Sequence, residues 1–191
     1  MSTAFTGEWM DGRTDITVST GEVAWLDGKY GDYTILAMTG ATTIESNVHP
    51  AQAGIATSNL GTGFAVCVLG RRGNIMVHVP GDLGYDNLQA SGQRQVAAMR
   101  DNFRRLWDTH CAAHINPPTV VLVRGGYTIG REMRQAVDRI CPEILAFPAT
   151  VQWCEQDPET VQTRHGRVLV TVDYRGLQSG NEMWVEGRKV M

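Results

Sequence analysis

The chain has 191 residues, of which 42% are hydrophobic and 19% are charged, and its formal net charge is -3. This length predicts one domain, residues 1–191, that is large enough to bury a core of its own. The small negative charge offers no basic surface to nucleic acid or to an anionic membrane. No apolar run approaches the roughly 20 residues that span a bilayer. We therefore expect neither a nucleic-acid partner nor a membrane partner.

The cysteines and the first residues predict a cytoplasmic protein. Cys67, Cys111, Cys141 and Cys154 show no CxxC spacing, which favours reduced and mostly buried thiols. The opening residues, MSTAFTGEWMDGRTD, are polar and lack the apolar stretch of a secretory signal. Because the histidines are scattered, no metal site is predicted. Residues 61–63 are too short for a nucleotide-binding loop, and no cofactor is predicted.

Short alternating segments separated by turn residues predict a β-rich first half. The predicted strands are 15–19, 22–26, 32–38, 64–69 and 75–79. Residues 39–56, rich in Thr, Ala and Gly, are predicted to form a surface excursion. The last two strands would pair as a hairpin.

Helices and strands alternate in the second half. Apolar residues recur at three- and four-residue intervals before the stop at Asn116-Pro117-Pro118 and predict a long helix. They are Val96, Met99, Phe103, Leu106, Trp107 and Cys111. A second helix is predicted at 130–140, and further strands at 119–123, 145–151 and 167–174. The order indicates an α/β or α+β layered domain with helices packed on a mixed sheet.

The segment from Thr57 to His78 has the layout of a hydrolase site. A glycine-rich turn, Leu60–Gly63, leads into a strand that would pair with the strand carrying His78. Such a turn exposes backbone N–H groups, as an oxyanion hole requires, and a nucleophile there could meet a base on the neighbouring strand. A histidine on a half-buried strand is also typical of an ordinary core residue.

These residues resemble the chemoreceptor glutamine deamidases, which share a fold and a Cys–His site with the catalytic domain of cytotoxic necrotizing factor toxins. That family has a Thr, then Leu-Gly-Ser-Cys, an Ala-Val strand, and a Gly-Met-x-His-x-x-Leu-Pro strand. Thr57 is similar to the first of these and Leu60–Gly63 to the second. Ala65-Val66 and Asn74–Pro80 are similar to the two strands.

The likeness continues on both sides in the same order. Asp15–Val18 with Gly21–Val23 is similar to the family's opening strand and its Gly-Glu. Val123–Gly126 with Ile129–Glu132 is similar to its strand, Gly-Gly and helix start, and His165–Val168 to its closing Gly-Arg strand. The resemblance implies the deamidase fold over most of the chain.

The chain departs from the family at the nucleophile. Gly63 stands at the position of the catalytic Cys and has no side chain that could attack an amide. In addition, residues 27–56 make a longer lead-in than the family has, and Met133 replaces a preferred Asn. Deamidation through residue 63 is therefore excluded on chemical grounds.

Three other residues near Gly63 carry a thiol or hydroxyl that could replace the missing nucleophile. Cys67 shares a strand face with position 63 but lies about 13 Å along the strand, so it is expected to be a core thiol. Thr62 and Ser58 carry hydroxyls in the turn, which more simply stabilise the turn itself. We take His78, Thr57 and Thr62 as candidate catalytic residues. The candidate ligand-binding residues are Ser58, Gly61 and Gly63.

Three hypotheses follow from the sequence. The first is a deamidase-like protein without the standard nucleophile, which binds a polypeptide or a small amide-bearing ligand. The second is an active amidohydrolase or other enzyme that uses His78 with a different nucleophile. The third is a structural or assembly protein of unrelated α/β fold. A His78 that lies in a pocket favours the first two, and a His78 sealed in the core counts against both.

Overall fold

The computed structural model describes residues 14–27, 33–37, 53–69, 73–81, 90–110, 119–124, 139, 143–145, 151–154, 161–167, 179–185 and 188–189. These residues form strands and one long helix. In chain order they are β1 (Thr14–Thr17), β2 (Val23–Asp27), β3 (Tyr33–Leu36), β4 (Ala53–Thr57), β5 (Phe64–Leu69), β6 (Gly73–Val79), α1 (Ala90–His110), β7 (Thr119–Arg124), β8 (Val151–Cys154), β9 (Val161–Arg167), β10 (Ser179–Val185) and β11 (Arg188–Lys189).

The strands form two mixed sheets. The five-stranded sheet has the order β1-β4-β9-β10-β11, and the six-stranded sheet has the order β3-β2-β6-β5-β7-β8. Each contains one parallel pair, β1 with β4 and β7 with β8, while their other neighbours run antiparallel. With one helix packed on this β framework, the fold is α+β and mixed, as the sequence predicts. The single mixed sheet that the sequence suggests is in fact divided into two.

The six-stranded sheet is covered on both faces. Side chains alternate along its central strands, so that neighbours on β5 and β6 enter different apolar layers. One layer, here the helix-side layer, contains Phe64, Ile75 and Val77 together with the apolar face of α1. The other, the sandwich-side layer, contains Ala65, Met76 and residues of the five-stranded sheet. The molecule therefore stacks sheet, sheet and helix.

Helix α1 forms because its apolar residues return to one face. Val96, Met99, Phe103 and Leu106 are all buried against the six-stranded sheet, and each contributes roughly 1.5–3 kcal/mol of burial free energy. At the last turn, the imidazole of His110 stacks on the buried indole of Trp25 of β2, with ring centroids 3.6 Å apart and planes inclined by 6°. Asn102 Nδ2 also donates to Ala37 O at 3.1 Å, so α1 is fixed to the sheet by polar contacts as well.

Three sequence predictions need correction. Ala53–Thr57 is a strand with Ile55 fully buried, not part of a surface excursion, because pairing with β1 and β9 outweighs its weak local strand propensity. Of the strand predicted at 145–151, residue 145 is not in a strand, Val151 is the first residue of β8, and residues 146–150 lie outside the described part of the chain. The segment 161–167 is a strand that the sequence did not indicate.

Other predicted elements lie partly outside the described residues. The helix predicted at 130–140, most of the excursion before residue 53 and the strand beyond Arg167 belong to this group. The strands at 64–69, 75–79 and 119–123 and the long helix are confirmed. Within the described residues, no helix has the length and apolar character needed to cross a membrane.

Candidate functional site

His78 lies between the two sheets, near the end of β6. It pairs with Ala65 across the β5–β6 hairpin and shares the sandwich-side face with Met76. Its own backbone is also fixed, since His78 N donates to Glu22 O at 3.2 Å and Gly21 N donates to His78 O at 2.8 Å. The side chain is 2% exposed. The histidine is thus a member of the core.

A short hydrogen-bond chain joins the sheets at this point. The Thr57 hydroxyl, at the end of β4, donates to Val18 O at 2.7 Å, and its oxygen lies 2.8 Å from His78 Nδ1. Val18 is brought alongside by the parallel β1–β4 pairing, which Val18 N continues by donating to Ala56 O at 2.8 Å. The structure therefore brings together Thr57 and His78, two of the predicted site residues.

The hydrogen bonds of Thr57 determine which nitrogen of the His78 imidazole carries the proton. A threonine hydroxyl has one proton, and a carbonyl oxygen can only accept. If the Thr57 proton goes to Val18 O, His78 Nδ1–H must donate to Thr57 Oγ1. Nδ1 is then protonated and Nε2 retains its lone pair. Thr57 thus fixes both the tautomer and the orientation of the imidazole.

Burial keeps this imidazole neutral. It lowers the pKa of His78 from 6.5 to about 4, and the hydrogen bond to the Val18 carbonyl opposes that change to a smaller degree. At neutral pH, His78 is therefore a buried, uncharged hydrogen-bonding group. In chemical terms it is a base, but one whose access to solvent is almost closed.

The turn that follows Thr57 is closed by its own backbone. Asn59 and Gly61 adopt left-handed conformations, with φ of 57° and 58°. Gly63 N donates to Leu60 O at 2.7 Å. Because this N–H already has an intramolecular acceptor, Gly63 does not offer an oxyanion donor in this conformation.

Backbone atoms around Gly63 occupy the space that a side chain at this position would need. A Cβ built on it would lie 2.3 Å from Val79 O and 3.0 Å from Gly81 N. Gly81 is equally confined, since its Cβ would lie 2.6 Å from Gly63 N. Two glycines thus allow the start of β5 and the residues after β6 to touch through their backbones. This close approach gives a packing reason for glycine at the position that resembles the family's nucleophile.

The remaining candidates lie around the buried pair. Thr62 is exposed, and its hydroxyl oxygen is 2.1 Å from where a Cβ on Gly81 would lie, so it borders the glycine contact. Ser58 and Gly61 are half-buried in the same turn. The hydrogen bond of the His78 side chain to Thr57 distinguishes Thr57 as the candidate in direct contact with the imidazole. Cys67 is fully buried in the sandwich-side layer, as predicted for a core thiol.

A second turn meets the site from the opposite side. Residues 19–22 connect β1 in one sheet to β2 in the other, and Glu22 N donates to Ser19 O at 3.0 Å. The Glu22 carboxylate in return accepts from Ser19 N at 2.8 Å. Ser19 and Thr20 are exposed. This turn and the 58–63 turn together form the polar end of the sandwich, the name used below for 19–22 and 58–63.

Sequence reasoning missed two contributors to this layer. Val18 acts through a backbone carbonyl, which leaves no signal in the side-chain pattern. Asn74 is a fully buried amide on the same face of β6 as His78, and the strand predicted at 75–79 does not include it. A polar residue at an inward position of an alternating strand is the signal that could have identified it.

Neither family models nor curated proteins give a relative of this chain. Within the part of the chain that the structure describes, no group of three or more His, Cys, Asp or Glu residues is arranged to hold a metal ion. The geometry around Thr57 and His78 is therefore the basis for proposing a function.

Proposed function

We propose that this protein is a deamidase-like protein that does not hydrolyse amides and instead binds an amide-bearing ligand, a polypeptide segment or a small molecule, on the exposed turns at the polar end of the sandwich. The burial of His78 counts against a ligand pocket around the imidazole, so the proposed ligand contacts the turns and not His78 itself. The observation that carries the proposal is the packing of Gly63. A side chain there would meet Val79 O at 2.3 Å, so the backbone occupies the space that a nucleophile would need.

Two further contacts argue against hydrolysis at this site. The N–H of Gly63 donates to Leu60 O and is not directed at a substrate. His78, at 2% exposure, has no open path to a bound amide. General-base catalysis requires hydrogen-bond reach between the base and the group that loses its proton. These contacts support a role in which the Thr57–His78 pair stabilises the binding surface and performs no chemistry.

The exposed groups nearby suit amide recognition. Ser19, Thr20, Asn59 and Thr62 are exposed on the two turns that flank His78. Hydroxyls can donate and accept, and an asparagine side chain does both at once, which matches the N–H and C=O of an amide. Both turns are fixed by backbone hydrogen bonds, so the surface would be largely ordered before a ligand arrives.

The proposal predicts binding without turnover. The wild-type protein would be mixed with a blocked glutaminyl-glycine dipeptide, and ammonia release would be followed together with backbone amide chemical shifts. We expect no ammonia and shift changes confined to 19–22, 58–63 and 80–81. A Thr62→Ala variant should weaken these changes, while Asp108→Ala, on the exposed face of α1, should leave them intact.

Two results would overturn the proposal in different ways. Ammonia release that His78→Gln abolishes would establish the enzyme hypothesis, with another nucleophile serving His78. Absence of any shift change with either this dipeptide or a long unstructured glutamine-containing peptide would favour a structural role.

Gly63→Cys with Gly63→Ala as its matched control tests the packing argument. Both add a Cβ against Val79 O, so both should lose about 1–3 kcal/mol of folding free energy in urea unfolding. Neither should release ammonia. A stable Gly63→Cys protein with a reactive thiol would show that the turn can open, against the proposal.

A further inference from the structure

The amide of Asn74 is buried in an apolar environment. It lies at the start of β6, opposite Leu26 of β2 and Leu69 of β5. These two leucines and Met76 belong to the sandwich-side layer, and Asn74 shares their face of the sheet. The residue is fully buried, with 0% exposure. A primary carboxamide therefore points into the space between the two sheets.

Both polar atoms of this amide are without a hydrogen-bond partner among the described residues. Nδ2 and Oδ1 are buried, and no hydrogen bond reaches either atom from the residues that the structure describes. The backbones of β2 and β5 on either side are engaged in ladder hydrogen bonds with β6. Asn102 provides a contrast, since its Nδ2 donates to Ala37 O at 3.1 Å. Buried polar groups in folded proteins are nearly always satisfied, and internal water is the usual partner when protein atoms are not.

We propose that Asn74 binds an internal water molecule between the two sheets. A carboxamide presents a donor and an acceptor side by side. One water oxygen can accept from Nδ2–H while the same water donates to Oδ1, which closes a small ring and satisfies both atoms together. The leucines and Met76 around the amide carry no charge, so a neutral ligand of this size fits the environment and an ion does not.

This inference is independent of the proposed function. Asn74 and His78 are four residues apart on β6, at about 3.3 Å per residue, so the two polar groups lie at different ends of the same strand face. Loss of ligand binding at the polar end of the sandwich would leave the water site unchanged.

The test uses the wild-type protein first. Nuclear Overhauser and rotating-frame cross-peaks between water and the Asn74 side-chain amide protons should be observed with opposite signs, as a long-lived water produces. The Asn102 amide, which is partly buried and bonded to protein, is the internal control and should lack that pattern. Absence of water cross-peaks at Asn74 would overturn the proposal.

A matched pair of variants gives the second readout. Magnetic relaxation dispersion of water ¹⁷O counts long-lived internal waters. Asn74→Leu should lose the contribution of one such water, and Asn102→Leu should lose none. An unchanged dispersion amplitude in a folded Asn74→Leu protein would show that this amide holds no water.

Discussion

The two faces of the six-stranded sheet differ in chemistry although the same strands supply both. On the helix side, β6 contributes three apolar residues, Ile75, Val77 and Val79. On the sandwich side, the same strand contributes Asn74, Met76 and His78. Each polar group of the proposed site and of the proposed water position is thus on the face covered by a second sheet.

The two faces differ in chemistry because a helix covers one of them and a second sheet covers the other. A helix satisfies its interior backbone groups within itself and presents only side chains to a sheet. The end of a strand, in contrast, presents backbone carbonyls beyond its ladder. Val18 lies just after β1, and its carbonyl accepts from Thr57, which in turn bonds to His78. A buried histidine can therefore be satisfied on the sandwich side without a charged partner.

The largest expected loss of stability is on the helix side, where the layer around Phe103 is built from apolar side chains. Phe103 is fully buried at the centre of the helix-side layer. Phe103→Ala should lower the free energy of unfolding by about 3–5 kcal/mol, measured by urea denaturation, because it removes the buried ring and leaves a cavity. The loss should be the same at pH 4.5 and pH 7.

The exposed Arg105→Ala variant is the control and should change that free energy by less than about 0.5 kcal/mol. If the loss of unfolding free energy in Phe103→Ala varies strongly with pH, the packing of the helix-side layer depends on a titrating group in the sandwich-side layer.

The sandwich side should respond to pH through His78. Its folded pKa of about 4 lies below its ordinary 6.5, so the unfolded chain binds more protons between these values. Stability contributed by neutral His78 is then present above pH 6.5 and is lost as pH falls to 4. The loss amounts to roughly 3 kcal/mol, at 1.36 kcal/mol for each pKa unit. Urea unfolding across pH 4–7 measures it.

His78→Gln should flatten this dependence, and the difference between the wild-type and variant curves isolates His78 from the other histidines. Phe103→Leu, a packing change in the other layer, should keep the wild-type slope. Equal slopes for wild type and His78→Gln would contradict a buried neutral histidine.

The contrast between the faces also explains what the sequence could predict. Apolar periodicity identified the helix and the β5–β6 hairpin, since both are defined by local patterns of side chains. Thr57 and His78 were chosen as candidates through a resemblance, and the structure does place them 2.8 Å apart. The resemblance itself stays a prediction.

What the sequence missed depends on contacts between distant segments. The strand β4 has little local signal and forms by pairing with β1 and β9. The confinement of Gly63 arises from Val79 and Gly81, on the far side of the hairpin. A glycine in the sequence can mark either a lost side chain or a close backbone contact, and only the fold distinguishes the two.

The smallest loss of stability should come from removing the Thr57 hydroxyl, whose hydrogen bonds join the two sheets. Thr57→Val preserves the volume of the side chain but removes the hydroxyl, so Val18 O and His78 Nδ1 both lose their partner. We expect a loss of about 1–2 kcal/mol in the free energy of unfolding.

The tautomer is the sharper readout, because the imidazole ¹⁵N shifts of the wild type should show a protonated Nδ1 and an unprotonated Nε2. Thr57→Ser retains the hydroxyl and should retain both the stability and that ¹⁵N pattern. If Thr57→Val leaves the pattern unchanged, Thr57 does not orient His78, and the difference between the two faces is one of composition alone.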